Sequence, residues 1–144
     1  MTDRATLEAL LARVLEGTGP DRELDAEIHA ATLYIKPIIP EAIVTRECQE
    51  NGFYAFHHVP GSPGGVSYWH QAPPYTVSLD SALTLVPDGW SWHSALRTYL
   101  TPFRATGSVW QDGQQYALFN ADANTPARAL IAACLKARME ALGE

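Results

Sequence analysis

The chain has 144 residues, of which 47% are apolar and 18% charged, and its formal net charge is −6 at pH 7. This length suits one domain with a sizeable core, and the composition is that of an ordinary globular protein. The negative charge argues against broad binding to nucleic acid or to anionic membranes. No apolar run approaches the roughly 20 residues of a membrane span, and the N-terminus lacks a signal-peptide pattern.

Cysteine and histidine usage argues against disulfide and metal chemistry. Cys48 and Cys134 do not make a disulfide framework, so we expect an intracellular, reducing setting. No His/Cys/Asp spacing fits a zinc site and no glycine-rich phosphate loop is present, so we expect no metal and no cofactor. Cys134 lies on an apolar helix stripe and is interpreted as a core residue, whereas a Cys48–histidine nucleophile pair stays open as an alternative. The sequence shows no group of polar residues that indicates catalysis, so we predict that the protein is not an enzyme.

Two helices are predicted in residues 1–34. Leu7, Leu10, Leu11, Val14 and Leu15 recur at helical spacing and define one apolar face. A second helix starts near Pro20, a residue favoured at the first helical position. The short link between the helices indicates an αα-hairpin.

Residues 35–74 are predicted to form an irregular hairpin or arm. The segment holds six prolines and shows no helical period. The stretches FYAFHHV and GVSYWHQ are typical of strands, and PGSPGG between them is typical of a turn.

Residues 75–144 are predicted to hold a short helix, three strands and a C-terminal helix. Ser78 is a good N-cap and Pro87 ends the short helix. Strands follow in WSWHSALR, FRATGSVWQ and QYALFNAD, and Thr125 with Pro126 starts the last helix. The fold class is therefore α+β: a single domain, 1–144, in which an antiparallel sheet is layered between helices.

Two pieces of the chain resemble a known family. LLARVLEGTGPDRELDAEI (10–28) is similar to the N-terminal helix pair of the phage ABA sandwich domain, and YTVSLDSALTLVPDGW (75–90), ATGSVW and NTPARALIAACLKAR are similar to its second half. The resemblance implies a phage or prophage gene and a helix–sheet–helix layered domain, but no activity and no catalytic residues. Because no signal peptide or membrane span is predicted, we expect such a protein in the host cytoplasm. The matching positions are Gly19, Pro20, Asp21, Leu24, Asp25, Ile28, Tyr75, Ser78, Leu79, Asp80, Ala82, Leu83, Val86, Pro87, Trp90, Thr125, Pro126, Ala127, Leu130 and Ala133.

Aromatic and basic residues in the middle of the chain are the candidate binding site. On a strand, Trp90 and Trp92 share one face while His93 takes the opposite one. Aromatic rings beside arginine are suited to stacking on a base and pairing with phosphate. The candidate ligand-binding residues are Trp69, His70, Tyr75, Trp92, Arg97 and Arg104.

Two functions are compatible with these features. The first is a non-enzymatic phage protein that captures a small host molecule, such as a nucleotide immune signal, in a counter-defence role. The alternative is an inhibitor or adaptor that blocks a host or defence protein, as an anti-CRISPR protein does, through the acidic N-terminal helices and the 35–74 arm. Either protein is expected to be a homo-oligomer, because the arm can bury its apolar side chains on a neighbouring copy.

Overall fold

The computed structural model describes residues 4–32, 44–48, 53–58, 70–97, 104–114 and 118–142. The predicted α+β class is confirmed, since helices pack on an antiparallel sheet. In chain order the described elements are α1 (Arg4–Glu16), α2 (Arg22–Thr32), β1 (Val44–Cys48), β2 (Phe53–His58), β3 (His70–Gln71), α3 (Leu79–Leu83), β4 (Trp90–Arg97), β5 (Arg104–Gln111), β6 (Phe119–Ala123) and α4 (Pro126–Ala141).

The first sheet has the order β1-β2-β3 and lies within the segment predicted to be irregular. The strand at FYAFHHV is present as β2, and part of GVSYWHQ forms β3, whereas the PGSPGG turn lies outside the described residues. β1 was not predicted. It pairs with β2 in antiparallel register from Val44↔His58 to Cys48↔Tyr54. Pairing with β2 stabilises this strand, whose own sequence has no alternating apolar pattern that would predict it.

The second sheet has the order β4-β5-β6, and both of its pairings are antiparallel. Side chains alternate between its two faces, and the face packed against α4 is here called the helix-side face. Opposed residues share a face, so the pair Trp92↔Val109 places Trp92 there, as the predicted alternation requires. The remaining register pairs on this face are Trp90↔Gln111, Ser94↔Gly107, Leu96↔Ala105, Val109↔Phe119, Gly107↔Ala121 and Ala105↔Ala123.

Helix α4 lies directly on the backbone of β5. Thr125 caps the helix by accepting a hydrogen bond from the Arg128 main-chain N–H at 3.2 Å, and Pro126 opens it, as predicted. A Cβ added at Gly107 would lie 2.5 Å from the main-chain carbon of Ala129, a distance that real Cβ atoms do not reach. The strand and helix can therefore approach this closely only because residue 107 is glycine.

The buried side chain of Arg128 joins α4 to the end of α1. Its Nη1 donates to the carbonyls of Val14 at 3.1 Å and Arg13 at 3.3 Å, and its Nη2 donates to the carbonyl of Gly19. These carbonyls include orphan acceptors at the C-terminus of α1, where a cation is favoured. Burial lowers the pKa of Arg128, and the nearby carboxylates of Asp21 and Asp25 oppose that shift.

We predict that Gly107→Ala lowers the free energy of unfolding by about 1–3 kcal/mol, because the new methyl group overlaps main-chain atoms that cannot rotate away. Urea denaturation measures the change. Gly19→Ala is the matched control, since a Cβ there meets no atom within 4 Å and its stability should stay within about 1 kcal/mol of the wild type. Equal stability of the two variants would contradict the close helix–strand contact.

We predict that Arg128→Met lowers the free energy of unfolding by about 2 kcal/mol or more, since three main-chain carbonyls lose a charged donor. The same denaturation experiment on Arg4→Met is the control. Arg4 is exposed, pairs with Glu8 on α1 and donates to one exposed carbonyl, that of Met139 at 3.3 Å, so its loss should cost no more than about 1 kcal/mol. A small effect for Arg128→Met would show that the carbonyls are satisfied without it.

Candidate functional site

The sheet β4-β5-β6 has a second face, turned away from α4, which we call the open face. Helix α4 packs on the helix-side face, as does the Leu15 side chain of α1, and Lys136 of α4 reaches the edge of the open face. Register defines two rows of side chains across the strands. The rows are His93, Ser108 and Asn120, then Ala95, Thr106 and Asp122.

Hydrogen bonds between neighbouring strands organise the open face. The Ser108 hydroxyl donates to Oδ1 of Asn120 at 2.5 Å, and the Thr106 hydroxyl donates to Oδ1 of Asp122 at 2.7 Å. Each hydroxyl thus holds the β6 side chain beside it in a defined orientation. His93, Asn120 and Asp122 are exposed, so their remaining donor and acceptor positions face solvent.

These side chains line a shallow cleft of about 520 Å³. Its edge is formed by Lys136 of α4, whose Nζ donates to the main-chain carbonyl of Asn120 at 2.7 Å. The cleft therefore combines an ammonium, a carboxylate, an amide, an imidazole and two hydroxyls. The lining residues are His93, Thr106, Ser108, Asn120, Ala121, Asp122 and Lys136.

The open face ends with Arg104, and the strand register places position 97 opposite it. Arg97 and Arg104 are direct cross-strand partners at one end of the β4–β5 ladder. Nη2 of Arg104 donates to the main-chain carbonyl of Asp122 at 3.3 Å, so its guanidinium lies at the border of the polar rows. Register thus brings together the two arginines that the sequence analysis selected.

The other predicted site residues lie elsewhere. Trp69 falls outside the described residues, and His70 belongs to β3 of the first sheet, opposite Tyr54. Tyr75 is a core residue, only 3% exposed, with its hydroxyl 2.7 Å from Nδ1 of His29. The main chain next to it is also fixed, because Thr76 donates its N–H to the buried carboxylate of Asp25 at 2.8 Å.

Trp92 is 44% exposed, but it lies on the helix-side face. Arg104 occupies the opposite face, since its cross-strand partner Arg97 is an odd number of residues from Trp92 along β4. A compact ligand resting on one face of the sheet cannot contact both side chains. The predicted combination of stacking on Trp92 and pairing with Arg104 therefore requires a ligand that wraps around the sheet.

The polar residues of the open face were missed as site candidates. The segment RATGSVWQ carries the signal, because Arg104, Thr106 and Ser108 alternate with the small apolar residues that face α4. The cleft residues on β6 and the Lys136 side chain of α4 could not be predicted from an alternating pattern of this kind. They depend on which strand lies beside β5 and on where α4 crosses it.

Two groups that could act as nucleophiles, the Cys134 thiol and the Ser108 hydroxyl, are buried. Burial raises the pKa of the Cys134 thiol to about 12, and only Arg138 opposes that shift, so the thiol stays protonated at neutral pH. Ser108 directs its proton to Asn120 rather than to His93. Among the described residues no group of three or more His, Cys, Asp or Glu side chains could hold a metal ion.

Comparison with known proteins identified no relative of this chain. No known protein family matches the chain, and no curated protein or solved structure is significantly similar to it. The resemblance to the phage ABA sandwich domain accordingly stays a prediction. Within the described residues, no helix has the length and apolar character needed to cross a membrane.

Proposed function

We propose that this protein binds a small polar molecule on the open face of the β4-β5-β6 sheet and does not transform it chemically. The observation that carries the proposal is the cleft itself, in which polar side chains from three strands and α4 converge on a face that no described helix covers. The cross-strand hydrogen bonds of Thr106 and Ser108 stabilise the sheet and also hold Asp122 and Asn120 in fixed orientations beside the cleft.

The hydrogen-bond pattern supports binding rather than catalysis. The buried Ser108 hydroxyl donates its proton to the amide oxygen of Asn120, which is not a base, and the Thr106 hydroxyl donates to Asp122, so both hydroxyls orient a neighbouring side chain of the cleft. Orientation by neighbouring side chains is what a binding site requires. In the phage setting implied by the resemblance, such a protein would act by sequestration of a host molecule, with a nucleotide signal as one case.

We predict that native mass spectrometry of the protein, purified at low salt from a bacterial host, detects a bound small molecule on the wild-type chain. Asn120→Leu and His93→Ala should each lower the bound fraction at least fivefold, since each removes an exposed polar group from the cleft. Val77→Ala is the control, because Val77 is 58% exposed and does not line the cleft.

Equal retention by all four proteins would place the ligand elsewhere. Absence of any retained mass, together with no heat on titration with AMP or cyclic AMP, would remove support for small-molecule capture. Circular dichroism of each variant shows whether the fold is intact, so a loss of ligand can be separated from a loss of structure.

The alternative function, blocking of a host or defence protein, has one specific observation in its favour. Trp92 and Leu96 lie on the same face of β4 and are 44% and 54% exposed. Exposed aromatic and aliphatic side chains are typical anchors of protein interfaces. If this function holds, the double substitution Trp92→Ser and Leu96→Ser abolishes capture of one defined host protein, and Asn120→Leu leaves that capture unchanged.

A further inference from the structure

Strand β4 lies at one edge of its sheet, and its free side is suited to pairing with an identical strand. We propose that two copies of the chain join antiparallel along β4, with Ser94 opposite Ser94 of the second copy and Trp92 opposite Leu96 of the second copy. The two three-stranded sheets then form one sheet of six strands. This inference does not depend on the ligand proposed for the open face.

The outer edge of β4 carries free main-chain groups at alternate residues. The Asp112 N–H donates to the carbonyl of Gly89 at 2.9 Å, and the register of β4 and β5 continues to this pair. Hydrogen-bonded and non-hydrogen-bonded pairs alternate in an antiparallel ladder, so the odd-numbered residues of β4 bond to β5. The N–H and C=O groups of Trp92, Ser94 and Leu96 therefore point away from β5. No hydrogen bond in the described part of the chain uses them.

The opposite edge of the sheet is closed by charged side chains. By the same alternation, the carbonyls of Asn120 and Asp122 point outward from β6. They accept hydrogen bonds from Nζ of Lys136 at 2.7 Å and from Nη2 of Arg104 at 3.3 Å. Charged side chains along an edge hinder the addition of another strand. Of the two edges of this described sheet, β4 is the one left open to a further strand.

Apolar side chains border the open edge. Trp92 and Leu96 lie on the helix-side face of β4, and both are exposed. An edge that combines free main-chain groups with exposed apolar side chains gains hydrogen bonds and buried apolar surface when it pairs. The partner that fits this edge is therefore an extended strand with apolar side chains on the same face.

The alternation along β4 makes the strand complementary to itself. Outward-pointing groups must meet outward-pointing groups, so even-numbered residues of one copy lie opposite even-numbered residues of the other. A pair centred on Ser94 places Trp92 opposite Leu96 twice, and aromatic–aliphatic pairs of this kind stabilise antiparallel sheets. A pair centred on His93 would place Trp92 opposite a serine instead. Among the registers that lie within β4, the one centred on Ser94 matches both exposed apolar side chains.

Charge also favours a copy of the same chain at this edge. With a net charge of −6, two copies repel each other at most of their surfaces. The strand has no charged residue from Trp90 to Leu96, and position 97 falls opposite Ser91 rather than opposite itself. No like charges are therefore opposed in the pair. A single pair of strands buries less than the roughly 1,600 Å² of a standard interface, so we expect a weak dimer whose population depends on concentration.

The helices leave room for this pairing. Helix α4 packs mainly on β5 and β6, away from the free edge of β4. Neighbouring strands are about 4.8 Å apart, so the β5 strands of the two copies would be roughly 14 Å apart, beyond the ~8–10 Å that separates packed helices. The Trp92 and Leu96 side chains of both copies then occupy the surface between the two α4 helices.

Sedimentation velocity over a concentration series tests the interface. We expect the wild type to change from monomer to dimer as its concentration rises. Ser94→Asp and Ser94→Lys should each weaken self-association at least tenfold, because each places like charges opposite each other at the centre of the pair. An equimolar mixture of the two variants should dimerise again. Val77→Asp is the matched control, since Val77 is exposed outside β4, and its self-association should stay within twofold of the wild type.

Cysteine cross-linking tests the register. Opposed residues of a hydrogen-bonded antiparallel pair have Cα atoms about 5.5 Å apart, within the ~4.4–6.8 Å range of disulfides. Ser94→Cys should therefore form a covalent dimer on mild oxidation, detected by non-reducing electrophoresis. Ala95→Cys is the matched control, because residue 95 lies opposite His93 of the second copy, and it should cross-link at least fivefold less. The wild type under the same oxidation accounts for Cys48 and Cys134.

Three results overturn the inference. A chain that stays monomeric throughout the series, with no cross-link at Ser94→Cys, does not pair along β4, and Trp92 and Leu96 are then left for a different partner. A dimer that Ser94→Asp does not weaken uses another surface, such as residues 35–74. Equal cross-linking of Ser94→Cys and Ala95→Cys contradicts the register. Circular dichroism shows whether each variant folds, and Ser94→Cys is a small change that tests the interface even if a charged variant does not fold.

Discussion

Direct contact between the backbones of α4 and β5 is the constraint on which the second sheet depends. Gly107 places no side chain between the strand and Ala129. The neighbouring residues on the same face, Ala105, Ala121 and Ala123, have small side chains. Because the sheet contributes so little side-chain volume, the core is filled mainly by leucines and isoleucines of the helices. The helices therefore gather on one face. The other face of the same three strands carries mostly polar residues, together with Ala95 and Trp110.

Local signals in the sequence were enough to predict the helices and most of the strands. Caps such as Ser78 and Thr125 act within one helical turn, so their effect can be read from a few consecutive residues. β1 was missed because its sequence, VTREC, carries charges in its centre and is stabilised by pairing with β2. Pairing of this kind depends on residues outside the strand.

The candidate site was only partly predictable, since proximity in sequence does not imply a shared face. Positions 92 and 97 are five residues apart and belong to opposite faces of β4, whereas positions 97 and 104 are partners in the register of β4 and β5. Arginine was a useful guide because its charge is rare in the middle of this chain. Tryptophan was a poor guide, because large rings also serve the core: Trp90 packs against Phe119 with ring centroids 6.0 Å apart. Thr106 and Asp122 become candidate site residues only once the strand register, which places them opposite each other, is known.

The hydrogen bonds of Arg128 have a consequence for the order in which the protein is made. Their acceptors lie in Arg13, Val14 and Gly19, more than 100 positions earlier in the chain. During translation, at roughly 5–20 residues per second, the first helix leaves the ribosome several seconds before its donor is synthesised. Until then the Val14 carbonyl lacks this donor, whereas the Arg13 carbonyl can accept the N–H of Gly17 at the end of the helix. The N-terminal helix pair is therefore expected to reach its final stability last, although it is translated first.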